Sequence, residues 1–268
     1  MITSRTNEKI KYIASLAKSA EERNKAGLYI VEGPRMVMEI PDGEIRELYV
    51  SENYKGELPV VKSAQDKQSG ADSGDAMREI PIYKVSAEVF EKISSTKNPQ
   101  GILAIVRMPQ YSLEDIVGKE GPLLVVEKIQ DPGNLGTMLR SGEAAGIAGI
   151  IVDKTTADMF NPKVIRSTMG SIFRVPFLNM DLEEAIDALK KSGYTIYAAH
   201  LSGDDVFTSK AAKKAAYLIG NEGAGLSDEI SALSDVLIKI PMEGRVESLN
   251  AAISATLLAY EWHRQHRS

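Results

Sequence analysis

Three stretches of the sequence place glycines and short polar side chains directly after apolar runs. They are residues 134–146, which follow the apolar run 123–126, residues 220–227, which follow a second such run, and residues 240–259. Each has the order expected of a strand end, a turn and the start of a helix. In open α/β sheets ligands bind at such places, because turn amides and helix N-termini are free to donate hydrogen bonds there. The three stretches therefore predict a ligand site.

Arg140 is a candidate for phosphate chemistry. It lies one turn into a helix predicted to begin near Asn134, so both side chains can face one cleft. A guanidinium remains protonated near neutral pH, which makes it a poor general base but a good two-pronged ligand for phosphate. The alternative is a surface ion pair with an acid such as Glu143, which would contribute little.

Glu222, Ser248 and Asn250 are further polar candidates at the predicted strand ends and helix starts. Glu222 is either a solvated turn carboxylate or a group that steers a substrate. Ser248 lies at the start of the last predicted helix, where a serine is also an ordinary cap, as an asparagine is at position 134. These structural roles and the functional ones remain open from the residues alone.

The glycine pattern of residues 220–225, Gly-Asn-Glu-Gly-Ala-Gly, argues against two common nucleotide sites. It differs from the Gly-x-Gly-x-x-Gly of dinucleotide-binding proteins, and no Gly-Lys-Ser/Thr phosphate loop occurs in the chain. Three glycines after a strand otherwise fit a tight turn and a ligand cradle about equally well.

From residue 123 onward, apolar runs alternate with helical periodicity. Such continuous apolar strands predict a parallel sheet that is covered on both faces by helices. The predicted strands are 123–129, 148–153, 172–178, 194–200, 215–220 and 235–240. The predicted helices are 134–145, 161–169, 181–192, 227–233 and 247–265.

A shorter α/β alternation precedes this region and closes near Met108, before a proline-containing linker. Within it, residues 65–79 are rich in Ser, Gly, Asp and Lys and predict a mobile surface loop. Residues 94–101, Ser-Ser-Thr-Lys-Asn-Pro-Gln-Gly, are either a polar turn or a loop that offers hydroxyls and Lys97 to RNA.

Composition excludes several classes of protein. The chain has 268 residues, a formal charge of −5 and no cysteine, which excludes disulfides, thiolate nucleophiles and thiolate metal sites. It has no apolar run of membrane-spanning length, and its first nine residues lack the hydrophobic region expected of a signal peptide. We therefore expect a cytoplasmic protein with no membrane and no metal. Residues 1–36 carry seven basic and four acidic side chains, a local excess that leaves RNA contact open.

The three stretches, in this order, resemble the motifs of the SpoU-type (SPOUT-class, TrmH-like) RNA 2′-O-ribose methyltransferases. The resemblance covers roughly residues 120–262, and the N-terminal region is similar to the ribosomal-protein-like substrate-binding domain often found ahead of that catalytic domain. It implies a small α/β RNA-binding domain at 1–108, a linker at 109–119, and a parallel-sheet α/β methyltransferase domain at 120–268. It also implies a C-terminal trefoil knot, which periodicity cannot reveal.

The same resemblance implies S-adenosylmethionine as the cofactor and assigns site residues. The cofactor would be held by Leu201, Gly220, Ile240, Met242 and Leu249. The catalytic set would be Asn134, Arg140, Glu222, Ser248 and Asn250. Arg140 would bind the RNA phosphate beside the target ribose and so position its 2′-hydroxyl. The family is typically homodimeric, so we also expect a homodimer.

The expected activity is methylation of a ribose 2′-hydroxyl in structured RNA, with ribosomal RNA favoured over transfer RNA. One alternative is a non-catalytic RNA-binding homologue, which would have lost polar side chains that this chain keeps. Another is a nucleotide-dependent oxidoreductase, which lacks its glycine fingerprint here.

Overall fold

The computed structural model describes residues 1–59, 80–246 and 248–267, so the loop predicted at 65–79 lies outside the described residues. The chain divides into two compact units. The first consists of Met1–Pro109 with Phe160–Phe173, and the second of Gln110–Met159 with Arg174–Ser268. The segment Phe160–Phe173 thus groups with the N-terminal unit although the second unit flanks it in sequence.

Helices and strands alternate through both units. The helices are α1 (Glu8–Lys18), α2 (Ala20–Ala26), α3 (Pro34–Met38), α4 (Ala87–Ile93), α5 (Glu114–Val117), α6 (Pro132–Ala145), α7 (Pro162–Thr168), α8 (Leu182–Lys191), α9 (Asp228–Ala232) and α10 (Ala251–His266). The strands are β1 (Leu28–Glu32), β2 (Ile45–Ser51), β3 (Ile82–Val85), β4 (Ile102–Arg107), β5 (Leu123–Val126), β6 (Gly149–Val152), β7 (Phe177–Asn179), β8 (Thr195–Asp205), β9 (Ala215–Ile219) and β10 (Val236–Lys239).

The first unit contains a mixed sheet in the order β1-β4-β2-β3. Strand β4 runs antiparallel to β1 and β2, whereas β2 and β3 are parallel. The apolar positions of α1, Ile10, Ile13 and Leu16, recur at helical spacing and are buried in one core with Phe90. This burial of a single helix face explains why the amphipathic pattern forms a helix here.

The second unit contains a sheet of six parallel strands in the order β10-β8-β9-β5-β6-β7. Its central strands β5, β6 and β9 are buried along their whole length, because helices cover both faces. The predicted mixture of a small N-terminal α/β unit and a parallel-sheet unit is confirmed.

The strand predicted at 172–178 is wrong. A 3₁₀ helix occupies Ser171–Phe173, and β7 begins only at Phe177. Met169 and Gly170 both have positive φ, 49° and 98°, and they turn the chain away from an extended path after α7. Local apolarity therefore gave no sign of this turn.

Three other boundaries differ from the prediction by three residues or more. Strand β5 ends at Val126 instead of residue 129. Strand β8 continues to Asp205, five residues beyond the predicted end. Its extension brings Gly203 so close to β10 that a Cβ there would lie 2.4 Å from the backbone nitrogen of Ile238. Helix α10 begins at Ala251 instead of residue 247. Among the helices in the described part of the chain, none has the length and apolarity needed to cross a membrane.

Candidate active site

A cavity of about 340 Å³ opens at the carboxyl edge of the parallel sheet of the second unit. It is formed by the middle of β8, the ends of β9 and β10, the segment that leads into α10 and the first turn of α10. All five residues predicted to hold the cofactor line it: Leu201, Gly220, Ile240, Met242 and Leu249. Two residues of the predicted catalytic set, Glu222 and Ser248, line it as well. Its volume lies within the roughly 300–1,000 Å³ of small-molecule sites.

Gly220 marks the place where two backbone segments approach most closely at this cavity. A Cβ on Gly220 would lie 2.1 Å from both the carbonyl carbon of Gly225 and the amide nitrogen of Leu226. The amides of Asn221 and Gly225 are hydrogen-bonded to each other's carbonyls at 2.9 and 3.0 Å, which closes the turn. Only glycine fits at the start of this turn, because any side chain would force the backbone apart.

Asn134, Glu222 and Asn250 form a chain of side-chain hydrogen bonds beside the cavity. The Asn134 Nδ2 donates to Glu222 Oε1 at 2.9 Å, and the Asn250 Nδ2 donates to Asn134 Oδ1 at 2.9 Å. These residues belong to the first, second and third motif stretches respectively. The structure therefore brings one polar side chain from each stretch into a single cluster.

The Glu222 carboxylate is also faced by the backbone amides of Gln130 and Asp131, each at 3.4 Å. Partial burial tends to raise the pKa of Glu222, but the hydrogen bond from Asn134 and the bonds from backbone amides outweigh it and hold the pKa below its usual value. Glu222 is thus an ionised carboxylate on the cavity wall at neutral pH.

Helix capping differs from the sequence expectation at both helices that reach the site. The N-cap of α6 is Asp131, whose side chain accepts from Gly133 N, so Asn134 lies inside the first turn and is free for the cluster. The N-cap of α10 is Asn250, whose Oδ1 accepts from Ala252 N and Ile253 N. Asn250 therefore uses one end of its amide for the helix and the other for Asn134.

Arg140 lies apart from this cluster. It is exposed, it does not line the cavity, and within the part of the chain that the structure describes it makes no hydrogen bond or ion pair. Six residues along a helix correspond to a rotation of about 120° away from Asn134, so the two side chains leave α6 in different directions. The expected surface partner, Glu143, is paired with Arg174.

Asn221 is a site residue that the sequence interpretation did not assign. Its Oδ1 accepts from Gly223 N at 2.9 Å and from Ala224 N at 3.0 Å, and its Nδ2 donates to the carbonyl of Lys128 at 2.8 Å. An asparagine followed closely by glycines is typical of side chains that bond to the backbone two residues ahead, and this signal is present in the sequence.

One histidine, His200, also lines the cavity, and its Nδ1 lies 2.7 Å from Ser202 Oγ. Over the described ranges, no group of three or more His, Asp or Glu side chains is arranged to hold a metal ion.

In the first unit, the loop at 94–101 is organised by the buried carboxylate of Glu32. Glu32 accepts hydrogen bonds from Ser94 Oγ at 2.5 Å, Ser95 N at 2.9 Å and Thr96 Oγ1 at 3.1 Å. The hydroxyls of Ser94 and Thr96 are therefore bonded to Glu32, whereas Ser95 is exposed. Lys97 remains exposed, and Arg166 of α7 donates to Ser95 Oγ at 2.5 Å.

Comparison with known protein families gives two matches. Residues 121–260 match the model described as the SpoU rRNA Methylase family, and residues 7–104 match the MRM3-like substrate binding domain. The first match covers just over half of the chain. Together they confirm the resemblance that the motif stretches predicted.

Individual relatives are similar over nearly their whole length. The chain is 31% identical over 262 residues to the 23S rRNA (guanosine(2553)-2'-O)-methyltransferase RlmP of Bacillus subtilis, covering 97% of each chain. It is 32% identical over 277 residues to the 23S rRNA (uridine(2479)-2'-O)-methyltransferase of Streptomyces viridochromogenes, covering 100% of this chain and 93% of the relative. A structure of an AdoMet-bound rRNA methyltransferase from Sinorhizobium meliloti superimposes with a TM-score of 0.83 at 29% identity, covering 100% and 98% of the two chains.

Proposed function

Because the chain belongs to the SpoU rRNA methylase family, we propose that it transfers a methyl group from S-adenosylmethionine to a ribose 2′-hydroxyl of ribosomal RNA. The observation that carries this proposal is the cavity at the carboxyl edge of the parallel sheet, with Asn134, Glu222 and Asn250 joined beside it. Both curated relatives named above are 23S rRNA 2′-O-methyltransferases. We further propose that the enzyme acts in the cytoplasm on this substrate.

The cavity fits the proposed cofactor by shape and by chemistry. Leu201, Ile240, Met242 and Leu249 offer apolar side chains, and Gly220 contributes backbone to the same wall. When bound, S-adenosylmethionine supplies an electrophilic methyl group attached to a sulfonium. The ionised Glu222 lies on the same wall, where its negative charge would favour a positively charged ligand.

The polar cluster would position the nucleophile. Asn250 and Asn134 hold Glu222 in one orientation, and Ser248 lies on the adjoining cavity wall. We assign to Asn250 and Ser248 the contacts with the ribose hydroxyl. Arg140 would bind the phosphate beside the target ribose with both prongs of its guanidinium and bring the hydroxyl into line for attack. The hydroxyl proton would pass to that phosphate or to a transiently neutral Arg140.

A homodimer would explain the position of Arg140. Its side chain is exposed and unpaired among the described residues, and it does not reach the cavity of its own chain. Ile253 and Tyr260, seven residues apart on α10, are 49% and 46% exposed and form an apolar stripe on that helix. Because α10 packs on α6, a partner covering this stripe would bring Arg140 to the other subunit's site.

The C-terminal trefoil knot is part of the same proposal. Ile240, Met242, Ser248 and Leu249 line the cavity together with residues 199–201 and 219–226. The chain then continues into α10, which packs against α6. These contacts support a C-terminal segment that passes through the loops of preceding strands.

The first unit would contact the RNA around the target nucleotide. Lys97 on the loop at 94–101 is exposed, and Arg166 lies against that loop through Ser95. Such side chains bind phosphates without reading sequence.

Lys97→Ala should weaken RNA binding and lower its salt dependence by about one counterion, without changing cofactor affinity. Lys191→Ala, at another exposed lysine, is the control and should leave the RNA affinity and its salt dependence unchanged. If Lys97→Ala also leaves both unchanged, Lys97 does not contact the RNA.

Two measurements test the proposed function. Calorimetry should show binding of S-adenosylmethionine and no binding of NAD, whereas the reverse would indicate an oxidoreductase. Mapping of 2′-O-methylation across total RNA, with and without the protein, should reveal a protein-dependent site in ribosomal RNA. A protein-dependent site in transfer RNA would mean that transfer RNA is the substrate. Cofactor binding without any new methylated ribose would indicate a non-catalytic homologue.

A further inference from the structure

The connection between β5 and α6 turns sharply at Lys128, which has a φ of 54°. In the described part of the chain, only one other non-glycine residue, Met169, has positive φ. A residue with a Cβ avoids the left-handed region unless its surroundings hold it there, and such residues concentrate at functional sites. Lys128 lies three residues before Asp131, the cap of α6.

Two side chains from neighbouring strand ends hold the Lys128 peptide groups. Asp153, directly after β6, accepts from Lys128 N through Oδ1 at 2.9 Å. Asn221, two residues after the end of β9, donates from Nδ2 to the Lys128 carbonyl at 2.8 Å. Two side chains therefore hold the turn, Asp153 through the amide of Lys128 and Asn221 through its carbonyl.

Both gripping side chains are themselves fixed. Asp153 also accepts from Thr155 N at 3.1 Å and from the hydroxyl of Thr156. The opposite end of the Asn221 amide accepts from Gly223 N and Ala224 N. Each residue thus ties Lys128 to the carboxyl edge of its own strand, so the direction of the chain leaving Lys128 is set by three strands at once.

The chain leaving Lys128 carries the groups that meet Glu222. The amides of Gln130 and Asp131 face the Glu222 carboxylate at 3.4 Å, and Asn134 bonds to it at 2.9 Å. A change in the Lys128 turn would move all three relative to Glu222. The conformation of the left-handed turn therefore couples the positions of the two strand ends to the geometry of the polar cluster.

We propose that Asp153 and Asn221 are positioning residues for methyl transfer, which act by holding Lys128 in its left-handed conformation and so place Asn134 against Glu222. This inference rests on the proposed function, since it assigns these residues to the same site. Asp153 does not line the cavity, so its effect should be on turnover, whereas Asn221 lines the cavity and should also affect cofactor affinity.

The first test is a double-mutant cycle. Asp153→Ala should lower kcat about tenfold while the Kd for S-adenosylmethionine changes less than about twofold. Because glycine adopts positive φ without steric cost, the same substitution in a Lys128→Gly background should lower kcat only about threefold. Asp181→Ala is the matched control, since Asp181 also accepts backbone amides but caps α8 far along the chain. An equal loss in both backgrounds, or no loss, would overturn the inference.

The second test does not depend on catalysis. Hydrogen exchange of the unliganded protein should be faster over residues 128–135 in Asp153→Ala and unchanged over α8, with the opposite pattern in Asp181→Ala. Unchanged exchange over 128–135 in folded Asp153→Ala would refute the proposed grip. If the wild-type protein bound cofactor but methylated no ribose, the proposed function would fail while this exchange result still decided the role of Asp153.

Discussion

Glu222 is the residue at which the chemistry and the electrostatics of the site meet. Its carboxylate takes hydrogen bonds from Asn134 and from two backbone amides, and its pKa is held below the usual value. A carboxylate with a lowered folded-state pKa stabilises the protein above the unfolded-state value, about 4.3, and this contribution is lost as the pH falls through the folded-state pKa.

Glu222→Gln should therefore destabilise the protein at neutral pH and much less so in acid. The difference in Tm between wild type and variant should shrink as the pH falls from about 7 to about 3, because the wild-type carboxylate becomes protonated and loses its advantage. Differential scanning calorimetry over that range measures it. A difference in Tm that is independent of pH would show that the charge of Glu222 is not held by these bonds.

Asn250 allows stability and activity to be separated at one residue. Asn250→Ala removes both the cap of α10 and the bond to Asn134, and should cost about 1 kcal/mol of stability. Asn250→Ser keeps a capping oxygen but loses the amide donor, so it should be nearly as stable as wild type yet clearly slower in methyl transfer. Chemical denaturation and initial rates check this pair. A fast Asn250→Ser enzyme would limit Asn250 to a structural role.

Sequence motifs identified the polar residues better than they identified their partners. Asn134, Glu222 and Asn250 were singled out by residue type and position, and the structure joins them. Arg140 was expected beside Asn134, but the rotation of the helix separates the two. Asn221 was not assigned a role, because its side chain bonds to the carbonyl of Lys128, a residue 93 positions away in sequence.

At the scale of elements, the turn after β9 is the part of the fold on which the cavity depends most. Gly220 begins this turn, with the backbone of Gly225 and Leu226 at contact distances that exclude a side chain. Gly223 lies in the same turn, but a Cβ there would meet only Asn221 Oδ1, at 3.6 Å. The two glycines form a natural matched pair.

Gly220→Ala should destabilise the protein by about 1–3 kcal/mol and abolish measurable cofactor binding. The reason is that the turn must open to make room for the side-chain methyl of the alanine. Gly223→Ala should bind S-adenosylmethionine with an affinity close to that of wild type. Thermal unfolding and calorimetric titration of both variants provide the comparison. Equal cofactor affinities would place the cofactor away from the β9 turn.

Periodicity located most elements of the parallel sheet but failed where tertiary contacts set the boundary. The buried strands β6 and β9 are continuous apolar runs and were predicted at nearly their observed positions, and β5 was predicted at its observed start but three residues too long. The strand predicted at 172–178 was wrong because the positive φ values of Met169 and Gly170 break the extended path. Helix α10 was predicted four residues too early, since its start depends on the cap at Asn250.

At the scale of the whole molecule, the α/β class and the parallel sheet followed from alternating patterns. The grouping of Phe160–Phe173 with the N-terminal unit did not, because packing between distant segments leaves no periodic signal. The proposed dimer is a question at this same scale, and the exposed Arg140 makes it testable.

Mixing two inactive variants should restore activity if the site is shared between subunits. In a dimer of Arg140→Ala and Glu222→Gln chains, one of the two sites combines the intact Arg140 with the intact Glu222. Random association at equal concentrations should then restore about one quarter of the wild-type sites. Co-expression followed by rate measurement tests this. If the mixture is no more active than its components, each chain builds its site alone.

The most direct measurement concerns the atom that receives the methyl group. Purified protein is incubated with ribosomal RNA and methyl-labelled S-adenosylmethionine, and the RNA is then hydrolysed with alkali. A methylated 2′-oxygen cannot attack the adjacent phosphate, so the label should appear in alkali-resistant dinucleotides, and Glu222→Gln should reduce it about tenfold or more. Label in mononucleotides would mean that a base is methylated, and would contradict the proposal that the cavity beside Gly220 brings a sulfonium methyl to a ribose hydroxyl.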